Sequence, residues 1–339
     1  MTEKYIAKDA LGALITVVTS NGGRFVAPTL DARQVVYKEV TAAEAVVDVN
    51  DYILPRNSYK EIAFPQTEVL YKYELTRSGV DIDPVEVVAR QTVVFGARPC
   101  EAASLASLNA VFTWDFIDED FTKREESIVV LSVGCVNADD ECFCTTVNLS
   151  PESTTGADVA LYETENGYVA TAITEKGTAF VEAHAGSFVD VAKGETKKTL
   201  ATVEKVEGVD LTKLGERLAK TKNYDSPEWA ELVRKCCGCG ACTYSCPTCH
   251  CFDITDEGTA FEGERRKNWD ACQFDHFTLH ASGHNPRDTQ YKRYRNRFMC
   301  KFHIYPTKFN STGCVGCGRC IRVCPVRLDI TDLMTAMSK

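Results

Sequence analysis

The pattern C-x2-C-x2-C-x3-C-P occurs twice in this chain, at Cys236, Cys239, Cys242 and Cys246 before Pro247, and at Cys314, Cys317, Cys320 and Cys324 before Pro325. Three thiols two residues apart wrap a short loop around one centre, and a fourth beyond a turn reaches a different one. A chain carrying two such loops must bring them together, and that requirement constrains its fold more than any hydropathy pattern. The stretch KCCGCGACTYSCP (235–247) places five cysteines in thirteen positions. In this register Cys237 is the bystander, a small buried or partly exposed thiol.

The spacing is that of bacterial-type ferredoxins. It predicts one [4Fe–4S] cluster on Cys236, Cys239, Cys242 and Cys324, and a second on Cys314, Cys317, Cys320 and Cys246. Gly238, Gly240, Gly316 and Gly318 let the backbone approach the sulfides. Structural zinc is the competing reading. Zinc ribbons use two CxxC pairs set well apart, which a repeated triple motif does not resemble. A fully cysteine-ligated cluster carries electrons and leaves no iron open to substrate, so the chain reads as a wire rather than a reaction centre.

The surrounding composition agrees. There are 17 cysteines, none before Cys100, four from 100 to 144, none from 145 to 235, and thirteen from 236 to 324. The N-terminus MTEKYIAKDALG has charge and no apolar core, so no export signal is read and a reducing cytoplasm is expected. Metal or redox work then explains the thiols better than disulfides do. No run of eighteen apolar residues predicts a membrane span. The net charge of −10 argues against nucleic acid or an anionic membrane as the main partner.

Two further cysteine groups remain. TVVFGA (92–97) and SIVVLSVG (127–134) read as fully buried strands, and EAASLASLNAVF (101–112) as a helix. If the strands are parallel neighbours, Cys100 and Cys135 emerge at one carboxyl edge, where ligands gather in open α/β sheets. With Cys142 and Cys144 they form a third [4Fe–4S] site; scattered core thiols and zinc are the alternatives. The 67 residues between Cys246 and Cys314 carry Cys249, Cys251, Cys272 and Cys300, a fourth candidate site whose last ligand is Cys300 or a histidine. Residues 272–284 read as a helix with His276, His280 and His284 on one face. Those histidines bind zinc or simply pack. Cys100 in RPCEAAS also invites a nucleophile reading, but no base is evident beside it.

The fold expected is α+β or α/β. A mixed α/β N-terminal domain spans 1–185, with 4–20 helical, short strands at RFVAP, QVVYKEV and TEVLYKYEL, and more strand over 157–184. A charged helical linker covers 186–225. Over 226–339 a mostly helical dicluster ferredoxin-like domain carries an insert, 248–312. Ser226 and Pro227 mark a helix start.

GARPCEAASL, CFC, CCGCGACTYSCPTCHC, RRKNWDACQ, HASGHNPR and CVGCGRCIRVCPV occur in this order. From about residue 90 to 330 the chain resembles the iron–sulfur subunit of anaerobic sulfite reductases and the beta subunit of soluble nickel–iron sulfhydrogenases. The resemblance implies an electron-transfer subunit lying between a catalytic oxidoreductase subunit and a flavin- and NAD(P)-binding diaphorase subunit, with ferredoxin as a further donor. In that family a His often stands at the position of Cys300. The basic run RDTQYKRYRNRFMCK (287–301) would offset cluster charge; RNA binding is its other reading, disfavoured by the acidic whole. No GxGxxG opens a helix after a strand, so no nucleotide site is read. A reductase with its own substrate site at an incompletely ligated cluster is the second functional reading. An iron–sulfur sensor is a third, and it lacks a DNA-binding element.

Overall fold

The computed structural model describes residues 3–339. Along the chain the strands are β1 (Glu3–Ala7), β2 (Arg24–Asp31), β3 (Gln34–Glu39), β4 (Thr67–Thr76), β5 (Gly79–Pro84), β6 (Thr92–Ala97), β7 (Ile128–Val133), β8 (Val159–Glu163), β9 (Gly167–Ala172), β10 (Val189–Asp190), β11 (Phe252–Gly258) and β12 (Glu262–Trp269). Eight form one sheet, in the order β10-β1-β9-β8-β7-β6-β2-β3, and four form another, β11-β12-β4-β5. In the larger sheet β2, β6, β7 and β8 are parallel. The strands outside them pair antiparallel.

Every residue of β6 and β7 is buried, because helices cover both faces. Val93, Phe95, Val129 and Leu131 face the helix Leu11–Ser20 through Leu14, Ile15 and Val18. Val94 and Val130 face Leu108, Phe112 and Phe121 on the opposite side. A separate apolar core joins Leu214, Trp229, Phe298, Leu333 and Met334 from the C-terminal helices.

Several sequence expectations change. The first helix begins at Leu11, not at residue 4, because Tyr5 and Ile6 are taken up by pairing with β9. Residues 175–183 are helical: Thr174 Oγ1 accepts from Gly177 N at 3.0 Å and caps a helix where EKG reads as a turn. Within 186–225 only Leu211–Ala219 and Thr221–Tyr224 are helical. The stretch before them is a strap held to the N-terminal unit, with Ala201 N donating to Cys135 O at 2.8 Å and Val206 N to Thr146 Oγ1 at 2.9 Å. The insert is not helical throughout. Its hairpin β11–β12 pairs with β4, so segments far apart in sequence share one sheet. Lys267 on β12 is buried between Glu68 and Asp118, each at 2.8 Å.

One ion pair joins the sheet edge to the second cysteine motif. Glu101, next to Cys100, is fully buried and paired with Arg319, next to Cys320. Ser58 Oγ donates to the same carboxylate, and Arg319 Nε donates to Pro55 O at 2.9 Å. Removing one member of a buried pair strands the other, a loss of about 3–5 kcal/mol. Glu101→Gln should therefore lower the apparent melting temperature sharply, and Glu101→Leu/Arg319→Met should restore part of it. An unchanged melting temperature in Glu101→Gln would show that the pair does not hold the two regions together.

Candidate metal centres

The two motifs fold alike. Gly240 and Gly318 enter short helices, Ala241–Tyr244 and Arg319–Arg322, with φ of 73° and 71°. These helices pack together and carry Cys242 and Cys320. Matching turns follow, with Cys246 N donating to Thr243 O at 3.3 Å and Cys324 N to Ile321 O at 3.1 Å. Cys236, Cys239, Cys242 and Cys324 line one small cavity together with Cys237 and Cys320. Cys246 lies with Cys314, Cys317 and Cys320 instead, near enough for their charges to interact. The fourth cysteine of each motif thus sits with the first three of the other.

Strands β6 and β7 are parallel neighbours, and a bulge between Phe95 and Ala97 bends the end of β6. Cys100 and Cys135 leave the sheet at this edge. Cys135 interacts with Cys142 and Cys144, and Cys100 with Cys135. The group abuts the second motif: Cys100, Cys144, Val315 and Cys317 pack in one cluster. Phe143 N donates to Gly316 O at 2.9 Å, and Arg322 joins Asp139 at 3.0 Å and Cys142 Sγ at 3.3 Å. Gly316, with φ of 63°, presses on the backbone of Cys144; a Cβ there would lie 2.5 Å from Cys144 Cα.

In the insert, the thiol of Cys249 lies beside that of Cys246, Cys251 lies beside Cys272, and Cys300 lies near Cys272. This fourth group touches the site built on Cys246. The expected helix over 272–284 is absent. A 3-10 turn, His276–Thr278, stands in a loop, and His276, His280 and His284 are exposed. No helical face aligns them, because Phe274 is drawn against Gly240 and Gly283 turns the chain.

Among the described residues, no three His, Cys, Asp or Glu side chains converge as ligands of a single ion. Thiols spread around a volume suit a multi-iron cluster better than a lone zinc. Burial pushes Cys242 and Cys317 up to about 12, and Cys135 and Cys314 to about 11. Burial raises Cys100 as well. Such thiols are poor nucleophiles, and metal binding is the chemistry that ionises them. Cys246 and Cys251 go the other way: the neighbouring thiol of Cys249 and the charge of Lys301 hold Cys246 low, and the neighbouring thiol of Cys272 lowers Cys251.

Buried cations surround these groups. Lys301 Nζ lies 3.3 Å from Cys246 Sγ and donates to Thr248 Oγ1 at 3.0 Å and Gly313 O at 2.8 Å. Lys60 Nζ sits 4.0 Å from the centroid of the Trp269 ring and donates to Cys246 O at 2.9 Å and Cys249 O at 2.8 Å. Arg297 Nη2 donates to Cys242 O at 3.3 Å, while its Nε and Nη1 are buried without a protein partner. Arg98, beside Cys135, donates to Tyr52 O at 3.0 Å and Asn137 Oδ1 at 3.1 Å. Unpartnered donors and isolated charges are costly to bury. Anionic iron–sulfur clusters on the cysteines would compensate them, so the residues fit such groups.

The basic run 287–301 contained the signal for Arg297 and Lys301. Lys60, Arg98, Gln273 and Gln290 carried none. Gln290 Nε2 donates to Cys236 Sγ at 3.3 Å and to Gln273 Oε1 at 2.9 Å, contacts that only the tertiary fold creates. Gly316→Val would add a left-handed strain of about 1–3 kcal/mol to its clash with Cys144. The expected result is a lower melting temperature and loss of iron on purification; a variant with full iron and stability would show that the two loops do not need this approach.

Residues 235–328 match the family model of a 4Fe-4S dicluster domain. The chain is 31% identical over 242 residues to sulfhydrogenase 2 subunit beta of Pyrococcus furiosus, covering 70% of this chain and 71% of that protein. No solved structure matches. With its doubled motif inside the dicluster match and this relative spanning most of its length, the chain belongs to the family of iron–sulfur subunits shared by anaerobic sulfite reductases and soluble sulfhydrogenases.

Proposed function

We propose that this protein is the electron-relay subunit of a multi-subunit oxidoreductase, with four [4Fe–4S] clusters per chain. The reading assigns one to Cys236, Cys239, Cys242 and Cys324, and one to Cys314, Cys317, Cys320 and Cys246. The third belongs to Cys100, Cys135, Cys142 and Cys144, and the fourth to Cys249, Cys251, Cys272 and Cys300. When bound, such clusters take up and pass on single electrons. The observation that carries the reading is contiguity: Cys242 lies near Cys320, Cys317 packs against Cys100 and Cys144, and Cys249 lies beside Cys246, so each thiol group neighbours another. The protein's own part is to hold the thiols, exclude water and set charge. Lys60, Lys301 and Arg297 stabilise the more negative, reduced state and raise the potentials near Cys246 and Cys242.

The sulfhydrogenase relative is named as a subunit, which supports a multi-subunit complex; the reading places a flavin- and NAD(P)-binding subunit on one side of this chain and a catalytic subunit on the other. Among the described residues no helix is long and apolar enough to cross a membrane, in keeping with a cytoplasmic assembly. Anaerobically purified protein should hold about sixteen irons per chain, and about twelve after Cys100→Ser, with Cys237→Ser unchanged. About eight irons in the parent protein would confine the clusters to the ferredoxin motifs. Lys301→Met should lower the potential of one cluster in an EPR-monitored titration. A titration curve indistinguishable from that of the parent would remove Lys301 from the tuning of the relay.

A further inference from the structure

The four thiol groups differ in their depth. Cys100, Cys144, Cys246, Cys272 and Cys317 are buried, whereas Cys239 and its neighbour Cys237 are exposed. The group of Cys236, Cys239, Cys242 and Cys324 therefore opens to the surface. Its rim is basic. Arg234 and Lys235 run directly into Cys236, and Arg327 follows Cys324; all three are exposed. Arg327 is fixed there by the turn that places the thiol: Arg327 N donates to Cys324 O at 3.1 Å and Leu328 N to Cys324 Sγ at 3.2 Å. Among the described residues, Arg234, Lys235 and Arg327 form no ion pair, unlike Arg217 with Glu228 or Arg295 with Asp225 nearby. Of the adjacent carboxylates, Asp329 is occupied in capping Thr331 at 2.8 Å, and Glu231 is exposed about a helical turn before Lys235. The chain as a whole carries −10, so three free cations around its most exposed thiols run against the general charge.

We propose that this rim is the docking surface of a separate, acidic one-electron carrier protein, and that electrons enter or leave the subunit there. The proposal rests on the relay reading above. Charge complementarity selects the carrier: a positive rim on a negative body orients an acidic partner toward this face and repels it elsewhere. The reaction is an exchange of one electron, with the reduced carrier oxidised and the cluster beside Cys239 reduced, and no proton or bond is involved.

The test is anaerobic stopped flow on the full chain with its clusters, using a reduced 2[4Fe–4S] ferredoxin of net negative charge as the probe and reduced methyl viologen, a cation, as the control. In the parent protein the ferredoxin rate should fall with added salt. Arg234→Glu/Lys235→Glu/Arg327→Glu should slow it by about tenfold or more at low salt and abolish that salt dependence, with iron content and viologen rate undiminished. Arg327→Glu alone should give a smaller change of the same sign. A triple variant matching the parent with ferredoxin overturns the docking surface, as does an equal fall with both reductants. Failure of viologen to reduce any iron in the parent overturns the relay reading, and the docking surface with it.

Discussion

Five cationic side chains, Lys60, Arg98, Arg297, Lys301 and Arg319, are buried around the cysteine groups, and among them only Arg319 faces a carboxylate. Desolvating a charge costs several kcal/mol even after relaxation, so four such groups need negative charge from another source. On the proposed reading the thiols beside them would supply it when ionised by iron, and the cations and the cysteines are two halves of one electrostatic arrangement. Lys60 shows how far this reaches: it comes from the N-terminal part of the chain, yet it holds the carbonyls of Cys246 and Cys249.

The same dependence explains how the parts of the fold are joined. The eight-stranded sheet delivers Cys100 and Cys135 to the edge that meets the second motif. The Glu101–Arg319 pair and the Phe143–Gly316 contact fasten that edge to the cysteine-rich region, and the β4–β12 pairing joins the two parts of the chain in a second sheet. The packing of Cys100 and Cys144 against Cys317 holds the N-terminal thiols in place against the second motif.

The doubled motif was legible in the sequence because thiol spacing is a local code, and the match to a dicluster domain over 235–328 agrees with it. The parallel pairing of β6 and β7 was legible too, since buried β-branched runs carry their own signal. The histidines at 276, 280 and 284 misled, because spacing by four mimics a helix while Phe274 and Gly283 hold the segment as a loop. Lys60 and Arg98 were invisible: each is a single charged residue whose role comes from partners far away in sequence. The hairpin β11–β12 was missed because its strands are largely polar, β11 exposed and β12 half-buried, with no sustained alternating apolar face.

Hydrogen–deuterium exchange of the full chain with and without anaerobic removal of iron tests the electrostatic account most directly. Iron removal should expose the amides around Lys60, Arg297 and Lys301 to rapid exchange, since the buried cations lose their counter-charge, while β6 and β7 stay protected. Equal protection of these segments in the iron-free protein would mean that the cations are accommodated without clusters, and would contradict it.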